Sequence, residues 1–195
     1  EEIEKQPVTI DWDANAAEKA GYEHFMLKEI YEQPKTINDT ISPRIKDNDI
    51  VIEELNMSDE EIKEITKIHI VACGSAYHTG VTAKYVIEGL ARIPVEVDVA
   101  SEFRYRDPIL QKGNMVIVIS QSGETADTLA ALRESRERGF KVLGIVNVVG
   151  SSIAREADSV MYTWAGPEIA VATTKAYSAQ LTALYMLAMK FARVR

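Results

Sequence analysis

Six consecutive residues, Ser120 to Thr125 ("SQSGET"), gather three hydroxyls, an amide and a carboxylate around Gly123, directly after the apolar run "MVIVI". A buried strand that ends here and turns into a helix would place these side chains beside the free N–H groups of the helix N-terminus. Those groups carry partial positive charge and favour an anion. Ser120, Gln121, Ser122 and Thr125 are therefore candidate phosphate ligands. An ordinary helix start needs one hydroxyl, for which Ser122 is the natural N-cap, and three hydroxyls with an amide exceed that need. Neither the P-loop spacing nor G-x-G-x-x-G is present, so a small phosphorylated metabolite fits better than a nucleotide.

Two further loops have suitable chemistry. In "ACGSAYHTG", Gly74 permits close backbone approach and Ser75 can donate or cap. In "GPEIAVATTKA", Glu168, Thr173, Thr174 and Lys175 precede a long apolar segment. Lys175 there is either a phosphate counter-charge or a solvated lysine. Other reactive residues carry less. His24, His69 and His78 share no metal-ligand spacing with one another or with Cys73, so no metal site is expected. Cys73 reads as a small buried thiol, Arg104 and Arg106 of "EFRYR" as partners of surface carboxylates, and Glu29 and Glu32 as the solvated face of a helix. No catalytic residue is assigned.

The elements that must position these loops follow from hydrophobic period. Val- and Ile-rich runs predict strands over Ile68–Cys73, Val95–Ala100, Met115–Ser120, Lys141–Val146 and Ser159–Trp164. Helical stretches lie between them, over Tyr77–Leu90 with Ala83, Val86, Ile87 and Leu90 on one face, and over "ETADTLAALRESRERG", which ends at Gly139. Strand, helix, strand in repetition predicts an α/β layer fold with a mainly parallel sheet. Upstream, "EEIEKQPVTIDWD" reads as a linker or arm. An amphipathic helix is predicted from Ala14, with Tyr22, Phe25, Met26 and Ile30 inward and Pro34 as its stop. A short helical piece over 35–40 and a polar turn, "SPRIKDND", follow. The last helix, about Thr174 to Arg193, is apolar around most of its circumference. Its own sheet is the first candidate to cover it, a second subunit or domain the next.

Composition sets the outer limits. A formal net charge of −8 over 195 residues argues against binding nucleic acid, which needs a basic field. No run of about 18 uncharged apolar residues predicts a membrane span, and no leader is evident, so the cytoplasm is the expected compartment.

Taken together, "SQSGETADT", "ASEFRYR", "ACGSAYHTG", "EIAVATTKAY" and "GYEHFMLKEIYEQP" resemble the sugar isomerase (SIS) domain family. More narrowly, they resemble the first of the two SIS copies in the isomerising glutamine:fructose-6-phosphate aminotransferases. The resemblance implies a three-layer αβα fold with a five-stranded parallel sheet flanked by helices. It divides the chain into a linker (1–13) after a glutaminase domain, a helical lead-in (14–55) and a SIS domain (56–195). It assigns Ser120, Gln121, Ser122 and Thr125 to the phosphate of a hexose 6-phosphate, fructose 6-phosphate or glucosamine 6-phosphate. Gly74, Ser75, Val171 and Thr173 would line the sugar. The resemblance also implies a homodimer, no cofactor and no metal, with the reacting groups on a second SIS copy and C-terminal tail outside this chain. The chain departs from the family at Ala76, where a second hydroxyl residue is common. Two alternatives are a stand-alone sugar-phosphate isomerase or deglycase using Glu168 or His78 as base, and a regulatory SIS module that senses a sugar phosphate.

Overall fold

The computed structural model describes residues 18–195, so the linker expectation for 1–13 and the predicted helix start at Ala14 lie outside the described residues. Seven strands and seven α-helices are described: α1 (Phe25–Ile41), β1 (Ile45–Lys46), β2 (Asp49–Ile50), α2 (Asp59–Lys63), β3 (Lys67–Ala72), α3 (Gly74–Leu90), β4 (Val95–Val99), α4 (Ala100–Tyr105), β5 (Asn114–Ser120), α5 (Ala126–Glu137), β6 (Lys141–Val146), α6 (Ser152–Glu156), β7 (Ser159–Tyr162) and α7 (Lys175–Val194). Strands β3 to β7 form one parallel sheet in the order β4-β3-β5-β6-β7.

That order decides where a ligand can sit. The chain leaves β3, crosses by α3 to β4 on one side, and then returns past β3 to β5 on the other. The strand order therefore reverses between β3 and β5. Helices leave in opposite senses there and open a crevice at the carboxyl ends of the two strands. The loops carrying Ser75 and "SQSGET" start at those two ends.

Period-two alternation divides the core. Ile68, Ile70 and Ala72 of β3, with Met115, Ile117 and Ile119 of β5, point to one face, which Ala83 and Ile87 of α3 and Leu184, Leu187 and Phe191 of α7 cover. Val71, Val116, Val118, Val142 and Val146 point to the other, against Phe103 of α4, Leu132 of α5 and Ile153 of α6. The result is the three-layer αβα arrangement. The sheet strands lie within two residues of the predicted runs. Four helices depart from expectation: α3 begins at Gly74 rather than Tyr77, and α2, α4 and α6 are too short for the sequence period to reveal.

The long apolar helix α7 buries ten residues within this chain, packing against both α1 and α3. Its own domain thus covers it, and the apolar circumference needs no second subunit.

The lead-in helix α1 differs most from expectation. It runs through Pro34 to Ile41. Proline removes the N–H that would bond the carbonyl of Ile30, but Gln33 Nε2 donates to that carbonyl at 3.1 Å, so the helix continues. It starts at Phe25, where the extended backbone of His24 (φ −129°, ψ 145°) ends. The predicted inward face is turned round: Met26 and Ile30 are exposed, whereas Lys28, Glu29, Thr36 and Thr40 are buried. The polar turn at "SPRIKDND" forms a short 3-10 helix and a two-residue hairpin, β1–β2.

Candidate functional site

A cleft of ≈ 260 Å³ opens at the carboxyl edge of β3 and β5. Seven of the eight expected ligand residues line it: Ser75, Ser120, Gln121, Ser122, Thr125, Val171 and Thr173. The eighth, Gly74, lies beside the cleft between two lining residues, Cys73 and Ser75. Its φ of +57° starts α3 in a conformation other residues adopt rarely, and the space beyond its Cα is open. Position on the sheet explains the convergence, since three loops from distant parts of the sequence end at one edge.

The "SQSGET" loop is held in shape mainly by its own atoms. Ser120 Oγ and Thr125 Oγ1 are 2.8 Å apart, the Gly123 N–H donates to Ser120 Oγ at 3.0 Å, and the Glu124 N–H donates to Ser122 Oγ at 3.2 Å. Gly123 has φ +68° and lies against Ser151. Outside partners pin both flanks. Asn147 N–H donates to the Gln121 carbonyl at 3.1 Å and Ile153 N–H to the Gly123 carbonyl at 3.0 Å. Glu124 Oε1 accepts from Ser152 N–H at 2.7 Å. The hydrogen bonds from Ser152, side chain first and then backbone, hold the Glu124 carboxyl below the usual carboxylate range.

Helix α5 starts immediately after this loop. Thr125, at its N-cap rather than inside its first turn, makes no side-chain bond to the helix, because its hydroxyl is engaged with Ser120. The first N–H groups of α5 therefore remain available to an anion in the cleft. Ser122 is not the cap either. The loop is a preformed cradle in which hydroxyls and N–H groups converge and no carboxylate intrudes: Glu124 is turned toward Ser152.

The third wall is the loop between β7 and α7, and buried charges from α1 hold it. Glu29, 2% exposed, accepts at Oε1 from the backbone N–H of Ile169 at 2.6 Å and of Ala170 at 3.2 Å. Glu32 pairs with Lys175 at 2.7 Å and with Lys28 at 3.4 Å. Glu29 and Glu32 are thus structural clamps and not a solvated face. Lys175, 3% exposed, is bound to Glu32, which is neither of the two roles expected for it. Glu168 caps α7, taking N–H bonds from Thr174 and Ala176 and the Thr173 hydroxyl. Val171 is fully exposed at the rim. Asn147 ties this wall to the "SQSGET" loop. Its Nδ2 donates to the Gly166 carbonyl, and its Oδ1 accepts from Thr163 Oγ1 and Ala165 N–H.

Sequence reasoning did not assign Asn147, Gln180, Ala172 or Cys73 to the site. Cys73 is half-buried on the cleft wall, with Thr128 Oγ1 donating to its Sγ at 3.8 Å. No local signal marks these residues, because their roles arise from the packing of loops far apart in sequence. Arg104 and Arg106 pair with Asp127, Asp98 and Glu96, as expected of surface arginines. The parallel strands β3 and β4 do bring His69, Glu96 and Asp98 together, a grouping invisible in sequence spacing. Arg106 and Lys67 already neutralise those carboxylates, and burial first, then the Lys67 charge, lower the His69 pKa. This is an ion-pair cluster and not a free ligand set.

The cleft lining offers a ligand hydroxyls, side-chain amides and the half-buried thiol of Cys73. None of its lining residues is a carboxylate, histidine or lysine. Glu168 is committed to α7, and His78, exposed against Tyr77, is not among the lining residues. Neither is placed to act as the base that a stand-alone isomerase would need.

Comparison with known proteins agrees with this geometry. The sequence profile of the SIS domain family matches residues 61–190. A glutamine–fructose-6-phosphate aminotransferase (isomerizing) from Clostridium acetobutylicum is 63% identical over 194 residues, which are 99% of this chain and 32% of that protein. The chain thus spans about a third of the length of the curated relatives it matches. Among solved structures, the C-terminal domain of glucosamine-fructose-6-phosphate aminotransferase from Francisella tularensis superposes with a TM-score of 0.87 at 45% identity. It covers 91% of this chain and 50% of that one. A glucosamine-6-phosphate deaminase from Thermotoga maritima follows at a TM-score of 0.71 and 26% identity, covering 87% and 49%.

Proposed function

The chain belongs to the SIS domain family, and from that premise we propose that it is the sugar-phosphate-binding half of the isomerising part of a glutamine–fructose-6-phosphate aminotransferase. The whole enzyme would convert fructose 6-phosphate and glutamine to glucosamine 6-phosphate and glutamate, in the cytoplasm. The observation that carries this reading is the convergence of Ser75, Ser120, Gln121, Ser122, Thr125, Val171 and Thr173 from three loops on one cleft at the reversal of strand order. In this reading the phosphate takes the hydroxyls of Ser120, Ser122 and Thr125, the Gln121 amide and the N–H groups of α5. Ser75, the backbone at Gly74 and the Val171–Thr173 wall face the sugar. Ring opening and proton transfer need titratable groups, which the second SIS copy would bring. The lead-in to residue 55 and the SIS unit from 56 form the domain plan, preceded by a linker and a glutaminase domain.

Titration of this chain with fructose 6-phosphate tests the reading. Ser122→Ala should weaken binding by about 1.5 to 3 kcal/mol, the worth of a charge-assisted hydrogen bond. Unchanged affinity would leave the loop a mere helix start. The same chain, given fructose 6-phosphate with glutamine or ammonia, should form no glucosamine 6-phosphate; turnover would place a base within the cleft and defeat the assignment.

The assembly is proposed as a homodimer. The exposed Met26, Leu27, Ile30 and Tyr31 on α1 give the support, as clustered apolar side chains on a helix surface mark an interaction site. Light scattering at high concentration should give twice the 21.7 kDa chain mass; a monomer at all concentrations contradicts it.

A further inference from the structure

Gln180, near the start of α7, reaches the same cleft from a fourth direction. It is 3% exposed, yet its amide makes no hydrogen bond to any described residue. Side-chain amides at this depth are usually paired, and Gln180 does not stand among the fully buried unpaired polar atoms of the described residues, so the solvent contact its amide keeps lies on the cleft side. Ser75, Ser120, Gln121, Ser122, Thr125 and Thr173 of the same lining carry hydroxyls or an amide, yet none of them bonds Gln180. The unmet capacity therefore faces the ligand space.

We infer that Gln180 positions the hydroxyl-bearing carbon chain of the ligand and so discriminates a sugar phosphate from phosphate alone. A primary amide both donates and accepts, which matches a hydroxyl group. The phosphate is also already supplied with donors by Ser120, Ser122, Thr125 and the start of α5, none of them on α7.

The inference rests on the sugar-phosphate reading of the cleft, and one experiment separates the two. Fructose 6-phosphate and inorganic phosphate are each titrated against the chain, Gln180→Leu and Ser122→Ala. Gln180→Leu, close in shape, should weaken fructose 6-phosphate about tenfold and leave inorganic phosphate within twofold. Its ligand-free thermal midpoint should stay level or rise, because a buried unpaired amide is gone. Ser122→Ala should weaken both ligands. Equal weakening of both by Gln180→Leu, or of neither, overturns the role of Gln180 while the cleft reading stands. If the unaltered chain binds neither ligand, the cleft reading fails and Gln180's role with it. Should the leucine variant not fold, Gln180→Met, unbranched and equally without an amide, is read by the same criteria.

Discussion

Gly123→Ala should destabilise the chain by about 2 to 5 kcal/mol and weaken its hold on phosphate at the same time. Two independent costs add. At φ +68° an L side chain pays roughly 1–2 kcal/mol against its backbone. An added Cβ would also lie 2.0 Å from Ser151 Oγ and 2.5 Å from Ser151 Cβ, and forced overpacking of this kind costs about 1–3 kcal/mol. Ser151 is 3% exposed and cannot simply swing into solvent. The loop must give way instead, and it is tied at this residue in both directions, by the Gly123 N–H to Ser120 Oγ and by the Gly123 carbonyl to Ile153 N–H. Movement there displaces Ser120, hence Thr125. For a chain of this size each kcal/mol lowers the melting midpoint by about 2–4 °C. Pairing the change with Ser151→Gly should recover the steric part and leave the backbone part. A variant with an unshifted melting curve would mean that the loop does not sit as described.

The inner strands β3, β5 and β6 were legible in the sequence because they are buried on both faces and read as continuous apolar runs. The half-buried edge strands β4 and β7 followed from their Val content and place in the alternation. Helix α1 was misread for the opposite reason. Its apolar stripe, Met26 and Ile30, is real, but burial on the other side is purchased with bonds rather than apolar area. Lys28 reaches the Glu18 carbonyl, Glu29 takes two backbone N–H groups, and Thr40 donates to the Thr163 carbonyl. A periodicity argument assumes that the buried face is the apolar one, and here it is polar. Pro34 misled in the same way, since its cost was offset by one side chain, Gln33, one position before it.

The site was legible where its chemistry is local. Ser120, Gln121, Ser122 and Thr125 stand within six residues, and excess hydroxyl content at a strand end was signal enough. Asn147 and Gln180 offered no such density. Asn147 works by joining residues 121, 163, 165 and 166, and Gln180 by lying unpaired beside a cleft made by other elements. Glu168 and Lys175 looked like chemistry because a carboxylate and a cation near a binding loop commonly are. Partners within the fold change the meaning of both, N–H and hydroxyl donors for Glu168 and Glu32 for Lys175. A charge that is already paired inside the fold has little left to offer a ligand.

Lys175→Met makes that distinction measurable. The lysine is 3% exposed and 2.7 Å from Glu32. Removing one member of a fully buried pair costs about 3–5 kcal/mol, but the Glu32 side chain keeps 27% exposure, so about 1–3 kcal/mol applies here. Glu32 keeps Lys28 at 3.4 Å, so the lower end of that range is expected. Methionine fills the space of the lysine stem, which separates lost charge from lost packing. Because Lys175 is not among the residues lining the cleft, the folded fraction of the variant should bind inorganic phosphate with the same salt dependence as the parent. A phosphate-contacting lysine would behave otherwise: its removal would flatten the dependence on salt, with little change in the unfolding midpoint. Urea unfolding and phosphate titration at two ionic strengths therefore assign Lys175 either to the frame of the cleft, as its partners indicate, or to the ligand.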